Sequence, residues 1–259
     1  MKITAETKSF VSAIQWTLKS FDSRDDKAFV ALEVTEGGTA SLSHSNATSY
    51  MKSNFQLLTS DLDGEEIVTI PLQGQFLQRL MGALSSASTC ELNYDDNSLH
   101  LKNGAGKFTV PTFKAKISAE PELSELGSVD NVLFFDSLQR LSKLCDAASA
   151  GLFPALGVVD IKIDSDNEKI VLMATDRYAL GEVVLDFTVG DQLEDLGDKT
   201  NLLLPVEYST LIPPSKGEDS TTQLVFEPKL GKLGYKFTDG RIALFALKEV
   251  APIAYAQLK

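Results

Sequence analysis

Apolar positions along the chain switch repeatedly between the spacing of a helix and the alternation of a strand, and that switching divides the sequence into elements. After a short strand at Met1-Lys2-Ile3-Thr4, residues 6–20 carry Phe10, Val11, Ile14 and Leu18 at helical spacing, which predicts a helix with one apolar stripe. Lys8, Ser12, Gln15 and Lys19 form a second stripe on that helix, with two lysines and no acid. Strands are predicted at 28–34, 39–44 and 51–58, with Glu36-Gly37-Gly38 as a turn, and another opens at 66–70 beyond the loop Asp61-Leu62-Asp63-Gly64. The plan then recurs. Phe76, Leu77, Leu80, Met81 and Leu84 mark a helix over 72–85 with Arg79 as its only charge, and strands follow at 89–94, 98–101 and 106–110. Asp95-Asp96-Asn97 and Lys102-Asn103-Gly104 are the turn signals between them.

Residues 114–130 hold prolines, glycines and acids with little periodicity, and Ala119-Glu120-Pro121-Glu122 is the best linker candidate. We therefore expect one domain over 1–118, a linker over 119–126 and a second domain over 127–259. The second half restarts with a strand at 131–134 and a helix over 135–148, with Leu138, Leu141, Leu144 and Ala148 toward the core and Arg140 and Lys143 on other faces. Strands are expected at 157–163, 169–174 and 180–187. A last unit has a strand at 201–204 and a short helix over 205–212, where Pro205 suits the first turn and Pro213-Pro214 stops the helix after about two turns. Strands at 222–226, 233–237 and 242–247 complete the chain.

Leu77-Gln78-Arg79-Leu80 recurs as Leu138-Gln139-Arg140-Leu141, and four units begin near residues 2, 67, 131 and 201. Each is one helix with mostly antiparallel short strands, and neither part buries its apolar side alone. The expected class is α+β: two domains, each of two helix-plus-four-strand repeats, with both helices on one side. A doubly wound sheet is excluded by the long helix-free stretches.

The 43% hydrophobic and 23% charged content is that of a soluble globular protein. No positive region followed by an apolar one opens the chain, and no uncharged apolar run approaches the roughly 20 residues of a membrane span. Cys90 and Cys145 lie in apolar surroundings, which predicts buried thiols in a reducing, cytoplasmic compartment. The net charge of -12 rules out a surface that is basic everywhere, so what matters is distribution. The helices carry Lys8, Lys19, Arg79, Arg140 and Lys143 against Glu6, Asp136 and Asp146 near helix ends and Glu207 in the short fourth helix. Acids concentrate in connections such as 22–26, 61–66, 95–96, 164–168 and 191–198. A mildly positive helix face would tolerate a polyanion without gripping it; the competing reading is that long basic side chains merely solvate the helices.

Catalysis finds no good candidate. His44 and His100 are the two histidines, and no Cys/His cluster has metal-ligand spacing. The acidic run 61–66 reads as a solvated turn, and Ser149-Ala150-Gly151 and Gly104-Ala105-Gly106-Lys107 lack a nucleophile elbow and a full phosphate-binding loop. Trp16 reads as a packing residue rather than a base-stacking platform. No enzyme, metal or cofactor is expected. More informative is Val171-Leu172-Met173-Ala174-Thr175-Asp176-Arg177-Tyr178-Ala179-Leu180, two apolar runs around a polar insert. The insert crosses a strand connection at a surface, where Asp176 caps backbone N–H groups and Arg177 and Tyr178 face outward. It is either an ordinary turn or a binding surface.

The opening strand and helix, the Ile70-Pro71 transition and above all Ala174-Thr175-Asp176-Arg177-Tyr178-Ala179-Leu180 resemble the bacterial DNA polymerase sliding clamps, the ring-forming processivity subunits. The resemblance implies domains of two helix-plus-four-strand units, six of which close a ring around duplex DNA with the helices on its inner face. It also implies no catalysis, and a tethering of the replicative polymerase that raises processivity. Familiar members have three domains per chain; two here imply a shortened, possibly phage-encoded homotrimer. Lys8, Lys19, Arg79, Arg140 and Lys143 would make transient, sequence-independent phosphate contacts. By the same resemblance Thr175, Arg177, Tyr178, Leu180 and Pro205 would frame a pocket for short peptide motifs of polymerase and clamp loader. Ala179 stands where the family commonly has arginine, and the third domain whose tail completes the pocket is missing. The groove would then be completed by 245–259 or by another subunit. The alternative from a different class is a non-enzymatic virion or scaffold component.

Overall fold

Some strands alternate in burial, others such as Leu202–Pro205 and Ile242–Ala246 are buried almost throughout, and the helices bury residues at every third or fourth position, in the order the pattern predicts. The computed structural model describes the chain except for residues 26–27, 36–37, 63–66, 85, 96, 198–200, 214–220 and 254–259. The expected turn at 36–38, most of the acidic run 61–66, and parts of 22–26, 95–96, 191–198, Pro213-Pro214 and 245–259 therefore lie outside the described residues. The chain divides into two units, Met1–Glu120 with Asp239–Ile242, and Pro121–Thr238 with Ala243–Lys259.

In the first unit the order is β1 (Lys2–Glu6), α1 (Thr7–Thr17), β2 (Phe29–Val34), β3 (Thr39–Ser45), β4 (Ser49–Ser60), β5 (Val68–Gln73), α2 (Gly74–Ala83), β6 (Thr89–Tyr94), β7 (Ser98–Asn103) and β8 (Gly106–Pro111). The strands lie in the sequence β5-β2-β3-β4-β1-β6-β7-β8, all neighbours antiparallel, and a bridge between Leu72 and Thr112 joins the two ends. Inside sit Phe10 and Ile14 of α1 and Leu77 and Leu80 of α2, against Leu32, Leu42, Ile70, Leu92 and Leu101 from the strands. Each such side chain contributes about 1.5–3 kcal/mol by leaving water. Phe10 meets Phe55 edge to face at 5.3 Å. Strand β7 shows the rule plainly, burying Leu99, Leu101 and Asn103 while His100 and Lys102 face out.

The second unit runs β9 (Ser124–Asp130), α3 (Asn131–Ser142), β10 (Val158–Asp164), β11 (Lys169–Thr175), β12 (Leu180–Asp186), β13 (Thr188–Val189), β14 (Leu202–Pro205), α4 (Val206–Ser209), β15 (Thr221–Glu227), β16 (Lys232–Lys236) and β17 (Ile242–Ala246). Two sheets form, β12-β11-β10-β14 and β13-β9-β15-β16-β17. The chain crosses from one to the other at buried Phe187, and beyond β17 the Lys248 N–H donates to the Leu203 carbonyl at 2.9 Å, tying that segment to β14. Phe134, Phe135 and Tyr235 fill the core in edge-to-face contact, with centroids 5.1 to 5.7 Å apart.

Several expectations need correction. The strand expected at 131–134 is the first turn of α3, and the strand preceding it is β9, which begins inside the stretch expected to be a linker. Asp130 starts the helix by accepting the Leu133 N–H at 2.8 Å. Val132 and Leu133 then lie on its exposed side, so the apolar run marks two faces of a helix rather than a buried strand. Because α3 begins early, Asp136 sits in mid-helix rather than near an end, and Asp146 lies beyond the helix. Pro205 is the last residue of β14 and caps α4 with an extended ψ of 137°, rather than standing in its first turn. The helix it caps has one turn, not two. Lastly, Cys145 is half-buried; Cys90 is buried, and burial pushes both free thiols up to about 11.

Candidate functional site

Strands β11 and β12 pair up to Thr175 opposite Leu180, leaving Asp176 to Ala179 to turn the chain. The turn is built by side chains. Asp176 Oδ1 accepts the N–H groups of Tyr178 at 2.9 Å and Ala179 at 2.7 Å, and those bonds hold its carboxyl below the usual carboxylate range. Buried Thr175 donates its hydroxyl to the Ala179 carbonyl at 2.7 Å and accepts the Arg177 N–H at 3.0 Å. Arg177 itself has φ +84°, a left-handed conformation that a side chain with a Cβ adopts at a cost of about 1–2 kcal/mol.

That backbone aims the guanidinium sideways. Its Nη2 lies 3.4 Å from Asp146 Oδ2, and its Cζ lies 5.3 Å from the centre of the Phe153 ring and 5.8 Å from that of Tyr178. The Asp146 carboxylate also accepts the Ser149 N–H at 3.0 Å; hydrogen bonding by Ser149 first, and the Arg177 charge after it, keep it ionised below the ordinary range.

Beside the turn opens a cavity of about 450 Å³. One wall is the connection before β10, with Leu152, Phe153, Pro154, Ala155 and Leu156; a second is Thr175 and Arg177; the third is the segment after β17, with Val250, Ala251 and Ile253. Leu152 and Phe153 are 82% and 51% exposed, so this apolar lining faces solvent. Since the Thr175 hydroxyl is spent within the turn, Arg177 is the polar group left to a ligand among the described lining residues. The size and mostly apolar character suit a small ligand or a few side chains of a peptide.

Of the five residues expected to frame a pocket, the structure brings Thr175 and Arg177 to the cavity. Tyr178 is 90% exposed at the tip of the turn, Leu180 is half-buried at the start of β12, and Pro205 is buried in β14; none of the three lines the cavity. The Asp176 turn leaves Tyr178 in solvent, and Pro205, paired with Val158 just beyond the Leu152–Leu156 wall, is buried within its strand. Sequence reasoning missed residues 152–156, although Leu152-Phe153-Pro154-Ala155-Leu156 between Gly151 and Gly157 is an apolar run that fits neither period.

The five basic residues lie on, or just after, two helices of the first unit and one of the second. Lys8 is exposed on α1 together with Ser12 and Gln15, and Arg79 is exposed on α2. Lys19 lies in a 3-10 turn after α1 and is half-buried; burial first, and then the neighbouring Arg241 charge, lower its ammonium pKa. Arg140 is exposed on α3 but pairs with Asp136 at 2.5 Å, and Lys143 is exposed at the end of that helix. Among the described residues no group of three His, Cys, Asp or Glu side chains is placed to hold a metal ion, and no helix is long and apolar enough to cross a membrane.

No protein-family model matches the chain. Solved structures do. The DNA polymerase III beta subunit of Thermotoga maritima superposes with a TM-score of 0.76 over 99% of this chain, at 15% identity. The beta clamp of Helicobacter pylori bound to a DNA ligase peptide does so with 0.76 over 100%, at 16% identity. The fold is that of the bacterial sliding clamps. The chain spans 66% and 68% of those two proteins' lengths, about two thirds. A beta sliding clamp of Micrococcus luteus is 23% identical over 242 residues, covering 91% of this chain and 73% of its own.

Proposed function

We propose that this chain is the subunit of a sliding clamp that encircles duplex DNA and tethers a polymerase, without catalysis of its own. The observation that carries the reading is the apolar cavity beside the Thr175–Leu180 turn, in a chain whose whole length takes the clamp fold. A cavity of that character receives leucine- or phenylalanine-sized side chains of a short peptide, and the relative from Helicobacter pylori was solved with a peptide of DNA ligase bound. Polymerase and clamp loader are the partners this implies.

The order strand, helix, three strands recurs along the chain, and we read it as two domains of two helix-plus-four-strand repeats, divided between Glu120 and Pro121. With two such domains in the chain, three copies supply six. Among the described residues, strand β8 pairs only with β7 and strand β12 only with β11. β8 exposes Lys107, whereas β12 exposes Glu182 and Asp186, so β8 of one copy and β12 of the next offer edges of opposite charge. Head-to-tail pairing at those edges would close a homotrimer. The exposed faces of α1, α2 and α3 would line the hole, with Lys8, Arg79, Arg140 and Lys143 meeting phosphates in transient, water-mediated contacts. Half-buried Lys19 contributes less.

Native mass measurement and a processivity assay on primed circular DNA test the reading together. A threefold mass and longer extension products after loading are expected. A monomer at micromolar concentration that leaves the cognate polymerase unchanged would overturn it.

A further inference from the structure

We infer that the turn Asp239-Gly240-Arg241 joins α1 in a seat for a backbone phosphate of DNA, with Arg241 as its anchor. The inference rests on the clamp reading for where DNA passes, and it adds a fixed contact that the helix faces do not supply. Arg241 follows a glycine at φ +81°, a conformation that bends the chain sharply between β16 and β17. The turn is part of the first unit, and it is held firmly there. Trp16 Nε1 donates to the Ile242 carbonyl at 3.2 Å, and the Asn54 amide lies so close to Gly240 that a Cβ there would stand 2.6 Å from it. Within the turn Asp239 accepts the Arg241 backbone N–H at 3.1 Å and its Nε–H at 2.7 Å. So braced, the guanidinium lies over the Trp16 ring, its Cζ 4.5 Å from the ring centre.

Beside it runs a groove of about 860 Å³ along the polar stripe of α1, lined by Lys8, Ser12, Gln15 and Lys19 together with Asn54 and Arg241. Its cations come from three places: the start of α1, the 3-10 turn after it, and the β16–β17 turn. Glu6 and Asp239 are the acids of this lining, and Asp239 is committed to Arg241 through both oxygens. Lys19 is half-buried, and burial first, then the like charge of Arg241, lower its ammonium pKa. An anion set between these two cations relieves their repulsion. The rest of the lining decides which anion. Ser12, Gln15 and Asn54 carry donors that a phosphodiester accepts whatever its base. Trp16, the largest apolar side chain of the groove, is buried beneath Arg241, so neither a base nor a peptide ring can stack on it. The groove therefore suits the backbone of a strand, and each subunit would add one localised contact to the diffuse ones of its helices.

Anisotropy titrations of a fluorescein-labelled duplex of about 20 base pairs with the full-length chain, over a range of salt concentrations, give affinity and its salt dependence together. R241Q should bind about fivefold more weakly at low salt, and the slope of log affinity against log salt should flatten by about 0.9, the share of one phosphate contact. R241K, which keeps the charge without the planar fork, should retain part of the affinity and the full slope. K102Q, which removes a charge from the exposed face of β7, should match the wild type in both. Circular dichroism checks that each variant is folded. Emission of Trp16, the single tryptophan of the chain, should change when unlabelled duplex binds, and inorganic tripolyphosphate should evoke that change only at far higher concentration. Saturation by tripolyphosphate at lower concentration than by duplex makes the occupant a free polyphosphate and overturns the assignment to DNA. Wild-type affinity and slope in R241Q, or an equal loss in K102Q, overturns the seat. Native mass measurement separates the two readings: a trimer insensitive to R241Q loses the seat and keeps the ring, and a monomer whose duplex binding depends on Arg241 loses the ring and keeps the seat.

Discussion

Replacing Thr175 by valine keeps the shape of a buried side chain and removes two hydrogen bonds, the one it donates to Ala179 and the one it accepts from Arg177. Each such bond is worth about 1 kcal/mol net, and more when a partner is left dry. Arg177 and Ala179 are exposed, so water replaces part of what is lost, and we expect a cost of about 1–2 kcal/mol. With a typical dependence on urea this lowers the unfolding midpoint by roughly 0.5–1 M. A second consequence is specific to the turn. If the Thr175 hydroxyl is what holds Arg177 at φ +84°, then T175V in an R177G background should cost only about half as much, because the strain it must contain is gone. Urea titrations of the wild type, the two single variants and the double variant, followed by circular dichroism, supply the cycle. A midpoint for T175V within about 0.1 M of the wild type would refute the account of the turn, since two bonds would then count for nothing. Full additivity in the cycle would refute the coupling alone.

Buried His44 places Nδ1 2.8 Å from the Phe29 carbonyl, so that nitrogen carries the proton, while Nε2 has no partner among the described residues; burial lowers its pKa from 6.5. The unfolded chain then takes up a proton before the folded one does, so stability is full above pH 6.5 and falls as pH drops below it. Trp16 fluorescence, which reports the first unit, should show a lower urea midpoint at pH 5.5 than at pH 7.5, and H44Q should flatten the difference; an equally flat wild type sinks the idea. On the helix faces, Asp136 neutralises Arg140, so D136N should raise retention on nicked circular DNA about twofold at low salt while K8A and R79A lower it. No response to any of the three would mean that these faces do not meet DNA.

How much of this could be read from the chain varies with the origin of each contact. Helix α1 was legible because Phe10, Ile14 and the polar stripe of Lys8, Ser12 and Gln15 are separated on one cylinder, and a period needs nothing beyond the element itself. Strand β9 was not. It opens with Ser124-Glu125, and Gly127 has φ +148° with the Thr188 carbonyl so close that a Cβ would stand 2.2 Å from it. Its register against β15 shifts between Leu224 and Val225 next to this site, and an irregular strand writes no alternation. The turn at Asp176 was legible from its residue types, since an aspartate that caps the N–H groups two and three residues on is a local device. The cavity was half legible. Thr175 and Arg177 belong to the turn, but residues 152–156 and Val250, Ala251 and Ile253 reach it from distant parts of the chain, and no pattern within either stretch names its neighbour.

The comparison of the two units explains why the groove lies where it does. The hairpin of β3 and β4 in the first unit is turned in a similar way: Asn46 Oδ1 accepts the N–H groups of Thr48 at 2.9 Å and Ser49 at 2.7 Å, as Asp176 does for Tyr178 and Ala179. The sequences on this frame differ. Ser45-Asn46-Ala47-Thr48-Ser49 offers no cation and no ring, and Asn46 spends itself further on the Thr48 and Ser49 hydroxyls. The connections differ more. Between α1 and β2 the described residues include exposed Asp22, Ser23, Arg24 and Asp25, whereas between α3 and β10 they include Leu152, Phe153 and Leu156. A shared order of strands and helix therefore fixes where a hairpin and a connection meet, and the composition of the connection decides whether an apolar cavity forms there. Among the described residues it forms in the second unit. A ring assembled from this chain would then carry its grooves in proportion to subunits rather than to domains, and a partner that docks on one would be spaced by the full length of the subunit.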